Sequence, residues 1–486
     1  VLDTQHKNTI IFIFNMYSSK LNNILLSLGA VERNRLKKFF DSPYLVANKQ
    51  VCLLAKFLLD HCDNQAAMDR HYVWSKVFPE EKFDYPKLRK LASECMRSVE
   101  NYFVYEDIQT DLFEIKTRIA ESLAKREQKE LFEQASKTLQ KIDDIQTIKT
   151  SKQYFNKYQV EHAAFKLVNY DLKRFEKTNL SEITNNLDIF YVIEKLRYTC
   201  DALSRNPLTK EYDDFLLKDI LQKVQTNSFL LEIPAVAIYL SIYYSMVDYE
   251  NEEHYFKLKS LLEKHAGEFE QEESKKFYES AINYVVNRIN SPGRDFLREL
   301  FELYQSYLEK GFIFINDQID PYNFKNIVTT GLRLKEYEWV EYFIEEYKNR
   351  LPEVFRENVY IYHKAQLLFY TGAYGKVLQL LQEVEYDDQT YNLGAKSMLL
   401  AVYYETEEIE ALQSFLDSFK VYLNRQKKKL PPVVIENYLN LIKFTRKLIK
   451  ITPNNKAEIQ KIKEELSKTK SVASANWLSQ KIEELG

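Results

Sequence analysis

Residues 368–381 read LFYTGAYGKVLQLL, and this stretch decides the fold. Leu368 belongs to one apolar helical phase, Gly372 interrupts it, and Tyr374, Val377 and Leu381 resume it in a second phase. Two short helices joined by a tight turn follow from that spacing. Each position has a packing task. A turn former at 372 lets two antiparallel helices meet closely, and the aromatic at 374 plugs their junction. The β-branched residue at 377 sits where the helices touch, and the bulky residue at 381 fills the gap to the next pair.

The same logic recurs on both sides. Upstream stand Tyr337, Val340 and Ile344, with Pro352 placed to end the second helix. Downstream, Ala411 and Phe415 keep the pattern, with Thr406 and Glu408 where glycine and tyrosine stood. Aligned on Val340, Val377 and Ala411, the units are 37 and 34 residues apart, and the second spacing is a tetratricopeptide period. Residues 321–425, about a fifth of the chain, therefore resemble the tetratricopeptide family, although no unit carries the tryptophan near the start of its first helix. The resemblance implies a groove lined by the first helix of each unit. Its inward positions would be Lys325, Thr329 and Arg333, then Tyr362, Gln366 and Tyr370, then Lys396, Leu400 and Tyr403. The ring of lysine and asparagine with which some members clamp a carboxyl terminus is not matched, because Thr329 and Gln366 lack paired cations beside them.

Composition extends the helical reading to the whole chain. Only 9 glycines occur in 486 residues, too few for hairpins, phosphate loops or glycine-rich lids, while 35 tyrosines and 30 phenylalanines fall at helical spacing as filler between helices. The expected fold is all-α: a right-handed α-solenoid of stacked helical hairpins behind an N-terminal helical bundle. Residues 1–15 read as a disordered or upstream tail, since Met16 is the first methionine and helical spacing begins just after it. Residues 16–107 form the bundle, 108–320 an irregular hairpin array, 321–425 the repeats, and 426–486 basic capping helices. Boundaries are expected at Asn206-Pro207, Ile233-Pro234, Ser291-Pro292 and Asp320-Pro321. The apolar run Ile10 to Phe14 is too short for an export signal, and no stretch is long enough to span a membrane.

Net charge is −3, which argues against a chain coated along its length by nucleic acid or lipid. The balance is uneven: 425–470 carries +9, leaving about −12 elsewhere. On the helix bearing Lys443, Arg446, Lys447 and Lys450, the cations share one side, as a solvated capping face would. Cys52, Cys62, Cys95 and Cys200 are unpatterned and read as reduced core thiols of a cytoplasmic protein.

No phosphate-loop, dinucleotide or zinc-protease motif is present, and Cys52, His61, Cys62 and His71 lack the spacing of a zinc knuckle. His162, His254, His265 and His363 stand alone, and the acidic runs 250–253 and 268–273 read as exposed helix ends. Neither catalysis nor a cofactor is expected. The segment Phe39-Phe40-Asp41-Ser42-Pro43-Tyr44 is similar to uncharacterised bacterial proteins of comparable length, a likeness that brings no activity with it.

Two functions of different class remain. The first is a cytoplasmic scaffold that binds a peptide or partner protein in the repeat groove. The second is a DNA-binding regulator: residues 68–104 resemble the helix-turn-helix half of winged-helix regulators, with Lys87, Arg89, Lys90 and Arg97 facing phosphates and bases. Against it, Glu80, Glu81 and Asp84 crowd the connection, and the acidic, glycine-free Tyr105 to Asp111 occupies the place of a wing.

Overall fold

The structure, a computed structural model, describes residues 16–145, 150–168, 177–209, 216–290, 295–382, 389–451 and 455–485. The chain is all-α: among the described residues, 24 α-helices are accompanied by one pair of two-residue strands. It divides into two compact units, Val1–Val192 and Ile193–Gly486. The expected tail and the Ser291-Pro292 boundary lie outside the described residues.

In the first unit, α1 (Lys20–Ser27), α2 (Ala30–Phe40), α3 (Lys49–His61), α4 (Arg70–Val77) and α5 (Tyr85–Thr110) share one core. Their starts are set by local chemistry. Ser19, Asn48, Asp69 and Asp84 each accept a backbone N–H from the first turn of the helix that follows, and Pro86 occupies a position in α5 where no N–H is needed. The buried side of α5 is Leu88, Leu91, Cys95, Val99 and Tyr102, the face that its apolar spacing predicts. Burial raises the Cys95 thiol to about 12. Residues 105–110 continue α5, so helix stands where a wing would have to be.

The hairpin of α6 (Leu112–Lys125) and α7 (Lys129–Ile145) follows, and α8 (Ser151–Leu167) packs back on α6 around Phe113, Ala120, Phe132 and Ala163. The division between units falls inside α9 (Leu180–Thr209). That helix passes Asn206-Pro207 instead of stopping there. The proline sits in its last turn, where it forfeits only one bond of a helix already ending.

The second unit continues with α10 (Leu217–Gln225), α11 (Ser228–Leu231) and two hairpins, α12 (Pro234–Val247) with α13 (Glu253–His265) and α14 (Gln271–Ile289) with α15 (Leu297–Glu309). The acidic runs are more than helix ends. Glu250 and Glu252 grip the buried Arg288 guanidinium at 2.8 and 2.9 Å, and half-buried Glu273 accepts the Tyr239 hydroxyl at 2.7 Å. Strands β1 (Phe314–Ile315) and β2 (Gln318–Ile319) turn through Asn316 and Asp317, both at positive φ.

Then come α16 (Pro321–Arg333), α17 (Tyr337–Tyr347), α18 (Glu353–Tyr370), α19 (Tyr374–Gln382), α20 (Gln389–Glu405) and α21 (Ile409–Gln426), each packed on the next. The first helices also pack on one another, α16 on α18 and α18 on α20. Pro352 caps the start of α18 rather than stopping α17, which ends at Tyr347. The region closes with α22 (Pro432–Leu448), α23 (Lys456–Lys468) and α24 (Ala475–Glu484). Three of the four cations on its basic face are paired within the chain: Lys443 and Lys447 share Glu465, and Arg446 pairs with Asp417.

The three hairpin turns are built alike, and they correct the register of the third unit. In the second unit Gly372 is left-handed at φ 77°, and the N–H of Ala373 reaches back to the carbonyl of Leu368 at 2.8 Å. Lys335 does the same at φ 62°, with Glu336 bonded to Gly331 at 3.0 Å, and Glu407 at φ 58°, with Glu408 bonded to Tyr403 at 3.0 Å. Turn to turn, the spacings are 37 and 35 residues. Five residues after each turn stands the buried contact residue: Val340, Val377 and then Leu412, with Ile344, Leu381 and Leu416 one helical turn on. Ala411 and Phe415 are only half-buried. The small alanine drew the sequence alignment one place too early, because the turn that fixes the register lacks a glycine.

Candidate functional site

A cleft of about 620 Å³ opens across three successive first helices of the second unit, α18, α20 and α22. Tyr362, Gln366, Phe369 and Tyr370 come from α18, spaced so that one face of the helix supplies them. Gly394, Ser397, Met398 and Ala401 come from α20, and Asn437 and Tyr438 from α22. Residues 473–477 close the carboxy-terminal end.

That end is tied down by hydrogen bonds. Ala473 N–H donates to the Asn437 carbonyl at 3.1 Å, and Asn440 Nδ2 donates to the Ser471 carbonyl at 2.8 Å. Trp477 is held by its indole N–H, which donates to Glu405 Oε1 at 2.8 Å. The other oxygen of Glu405 accepts from Lys481 at 2.9 Å. Burial opposes the Lys481 charge, but bonds to Glu484 and Glu405 outweigh it and raise its pKa.

The floor depends on a close approach. At Gly394 an added Cβ would overlap the Tyr362 hydroxyl, so only glycine lets that ring lie against α20. Beneath it, His363 is completely buried, and desolvation depresses its pKa to about 3. The ring is therefore neutral at ordinary pH, and its Nδ1 lies 2.7 Å from Gln366 Oε1. An amide oxygen can only accept, which assigns the proton to Nδ1 and turns Gln366 Nε2 toward Tyr362 Oη, 3.4 Å away.

Two polar atoms at the cleft have no partner in the protein. Ser397 Oγ and Asn437 Oδ1 are both shielded from solvent and make no hydrogen bond. A buried polar atom left unpaired costs roughly 1–3 kcal/mol, and such atoms also occur elsewhere in the chain, Ser136 Oγ and Tyr307 Oη among them. The cleft thus presents aromatic walls, the amides of Gln366, Asn437 and Asn476 and the hydroxyls of Ser397, Ser474 and three tyrosines, with no charged side chain in its lining.

The groove positions expected from the repeats separate into three groups. Tyr362, Gln366 and Tyr370 are brought together in the cleft. Tyr362 is mostly buried, whereas Tyr370 stands at the rim with 46 % exposure. Its hydroxyl end is shielded enough for desolvation to raise the phenol, and nearby Arg333 opposes the rise. Lys325 and Thr329 are half-buried outside the lining, and Arg333 is exposed.

In the third unit the expected residues do not reach the cleft. Leu400 is fully buried in the core with Leu412 and Leu416, so no partner can touch it. Lys396 is half-buried with its ammonium 4.8 Å from the Tyr422 ring, and burial lowers its pKa. Tyr403 packs on Phe415. The one-residue correction in register explains the exchange. Counting 35 residues on from Tyr362 and Gln366 gives Ser397 and Ala401, both in the lining. Asn437, Tyr438 and Trp477 lie beyond residues 321–425, and only the tertiary packing that closes the cleft could reveal them.

The other candidates resolve into separate structural roles. Cys52 Sγ donates to the Phe40 carbonyl at 3.1 Å, His61 stacks on Phe57, His71 lies on Phe83, and Cys62 is core. Among the described residues no three His, Cys, Asp or Glu side chains are grouped to hold a metal. On α5, Lys87 pairs with Glu81 and lies over Phe78, while Arg89, Lys90 and Arg97 border a shallow surface with Tyr85. Among the described residues no helix is long and apolar enough to cross a membrane. Comparison of the chain with protein-family models, curated proteins and solved structures finds no match.

Proposed function

We propose that the protein is a non-catalytic, cytoplasmic scaffold. In this reading α12–α21 of its second unit stack as a right-handed solenoid of tetratricopeptide-like hairpins, and its cleft holds a peptide or partner protein. The observation that carries the binding role is the uncharged cleft itself, in which the rings of Tyr362, Phe369, Tyr370, Tyr438 and Trp477 surround amide and hydroxyl side chains. Aromatic rings give contact area and the polar groups fix register, while helices preformed by their own packing keep the ordering cost of binding low. Four free cysteines fit a reducing compartment.

The regulator reading rests on Arg89, Lys90 and Arg97 alone, with helix in the place of a wing. A photoreactive benzoylphenylalanine at Tyr370, and separately at Arg89, in the full chain within its native cells decides between them. The expected result is a light-dependent protein adduct at 370 and none at 89. Adducts at 89 alone, or to DNA, would favour the regulator.

A further inference from the structure

We propose that the cleft takes an internal, uncharged segment of an extended peptide, in preference to a chain terminus or a charged motif. This rests on the binding role proposed above and narrows it to one kind of occupant.

Charge is the first reason. None of the residues lining the cleft is charged at neutral pH; its polar members are amides, phenols and serine hydroxyls. Of the charges nearby, exposed Arg333 lies at the Tyr370 rim outside the lining, and others are already engaged. Glu405 holds Trp477 and Lys481, Lys481 also holds Glu484, and Lys396 is turned onto Tyr422. A terminal carboxylate, a phosphate or an ammonium entering this cleft would lose its water and meet no counter-charge, which is the most expensive way to bury a ligand.

Hydrogen bonding is the second. The amides of Asn437 and Asn476 each carry a donor and an acceptor, and the hydroxyls of Ser397 and Ser474 can do either. The Gln366 amide is oriented by His363 Nδ1, which donates to its Oε1, and its Nε2 donates to Tyr362 Oη with one further N–H to spare. Every residue of an extended peptide offers one N–H and one C=O, the complement of that set, at every position along its length. Internal residues therefore suffice, and the walls of Phe369, Tyr370, Tyr438 and Trp477 are left for uncharged side chains.

The test uses the full chain and a library of random peptides displayed between two flanking linkers, so that neither peptide end is free. Enriched sequences are then synthesised with acetylated and amidated ends and titrated against wild type, Asn437→Leu and Tyr370→Arg, after each variant is shown to melt like wild type. The expected result is enrichment of uncharged sequences whose affinity changes by less than about twofold between low and moderate salt, and between blocked and free ends. Binding should weaken about tenfold in Asn437→Leu, the loss of one hydrogen bond, and more in Tyr370→Arg. Peptides that bind the cleft but require a free terminus, or that bind through charge with a steep salt dependence, would overturn the inference while leaving the binding role standing. So would tight binding of maltoheptaose or chitohexaose in place of any peptide. Peptides that bind both variants as well as wild type, or a library with no enrichment, would overturn the inference and the binding role together.

Discussion

The second and third hairpins of the repeat region perform one task with different residues. Around Gly372 the sequence shows its structure openly, with glycine in the left-handed position, Tyr374 at the junction and Val377 in the contact. Around Glu407 the same backbone turn is made by a charged residue, Ile409 stands in place of the tyrosine, and Leu412 in place of the valine. Packing overrides local preference there. The buried contacts of Leu412 and Leu416 outweigh a left-handed residue that costs about 1–2 kcal/mol relative to the usual helical region. A helical hairpin can therefore keep the same turn geometry with different residues at the turn and the contact.

Carboxylates placed on either side of the register give the largest expected effect. Leu412→Asp should unfold the region, or cost about 3–5 kcal/mol, because an unpaired charge enters a fully buried contact. Ala411→Asp, on the half-buried neighbour, should cost less than about 1 kcal/mol. Urea denaturation of the two variants decides it, and equal losses would remove the register difference. Val377→Asp should behave as Leu412→Asp does, since it occupies the same place in the second unit.

A pH effect should separate the second hairpin from the third, since the second carries a completely buried histidine. His363 has a folded pKa of about 3, below its ordinary value of 6.5. Between those values the unfolded chain binds the proton and the folded chain does not, so stability falls as pH drops through this window. From neutral pH to about 4.5 the loss from this group is roughly 2–3 kcal/mol. Denaturation profiles should show a shallower pH slope in His363→Leu than in wild type. Identical slopes would mean that His363 is solvated.

Next in size is Gly331→Ala in the first hairpin. Its methyl would overlap Val340 Cγ2 and come within 3.3 Å of Phe301, so the variant should lose about 1–3 kcal/mol by overpacking. An unchanged melting temperature would show that α16 and α17 sit further apart. The smallest effect sharpens the opening contrast. Glu407→Gly and Lys335→Gly should each gain roughly 0.5–1 kcal/mol by relieving a left-handed side chain, while Gly372→Ala should lose about as much.

Much of the architecture was legible because it depends on patterns that one chain displays by itself. The buried face of α5, the start of α12 at Pro234 and the start of α16 at Pro321 all follow from apolar spacing and caps. The site was legible only in the unit with a recognisable turn. Tyr362, Gln366 and Tyr370 share one cleft because their spacing, phased by Gly372, puts them on one helix face. Lys396 and Leu400 stand at the same offsets from Ala411 as Tyr362 and Gln366 do from Val377, and one residue of error turns a helix by about 100°, enough to exchange a groove face for a core face. Asn437 and Trp477 left no local signal, because α22 and the segment before α24 reach the cleft through tertiary contacts.

The most direct measurement is the adduct yield from benzoylphenylalanine at position 370 in three further backgrounds: Asn437→Leu, Lys396→Ala, and the triple Lys87→Ala, Arg89→Ala, Lys90→Ala. If the cleft drawn by the structure is the binding surface, Asn437→Leu should abolish the adduct, and the other two should retain the yield of the parent. Loss of the adduct with the triple alanine, or with Lys396→Ala while Asn437→Leu retains it, would contradict that claim.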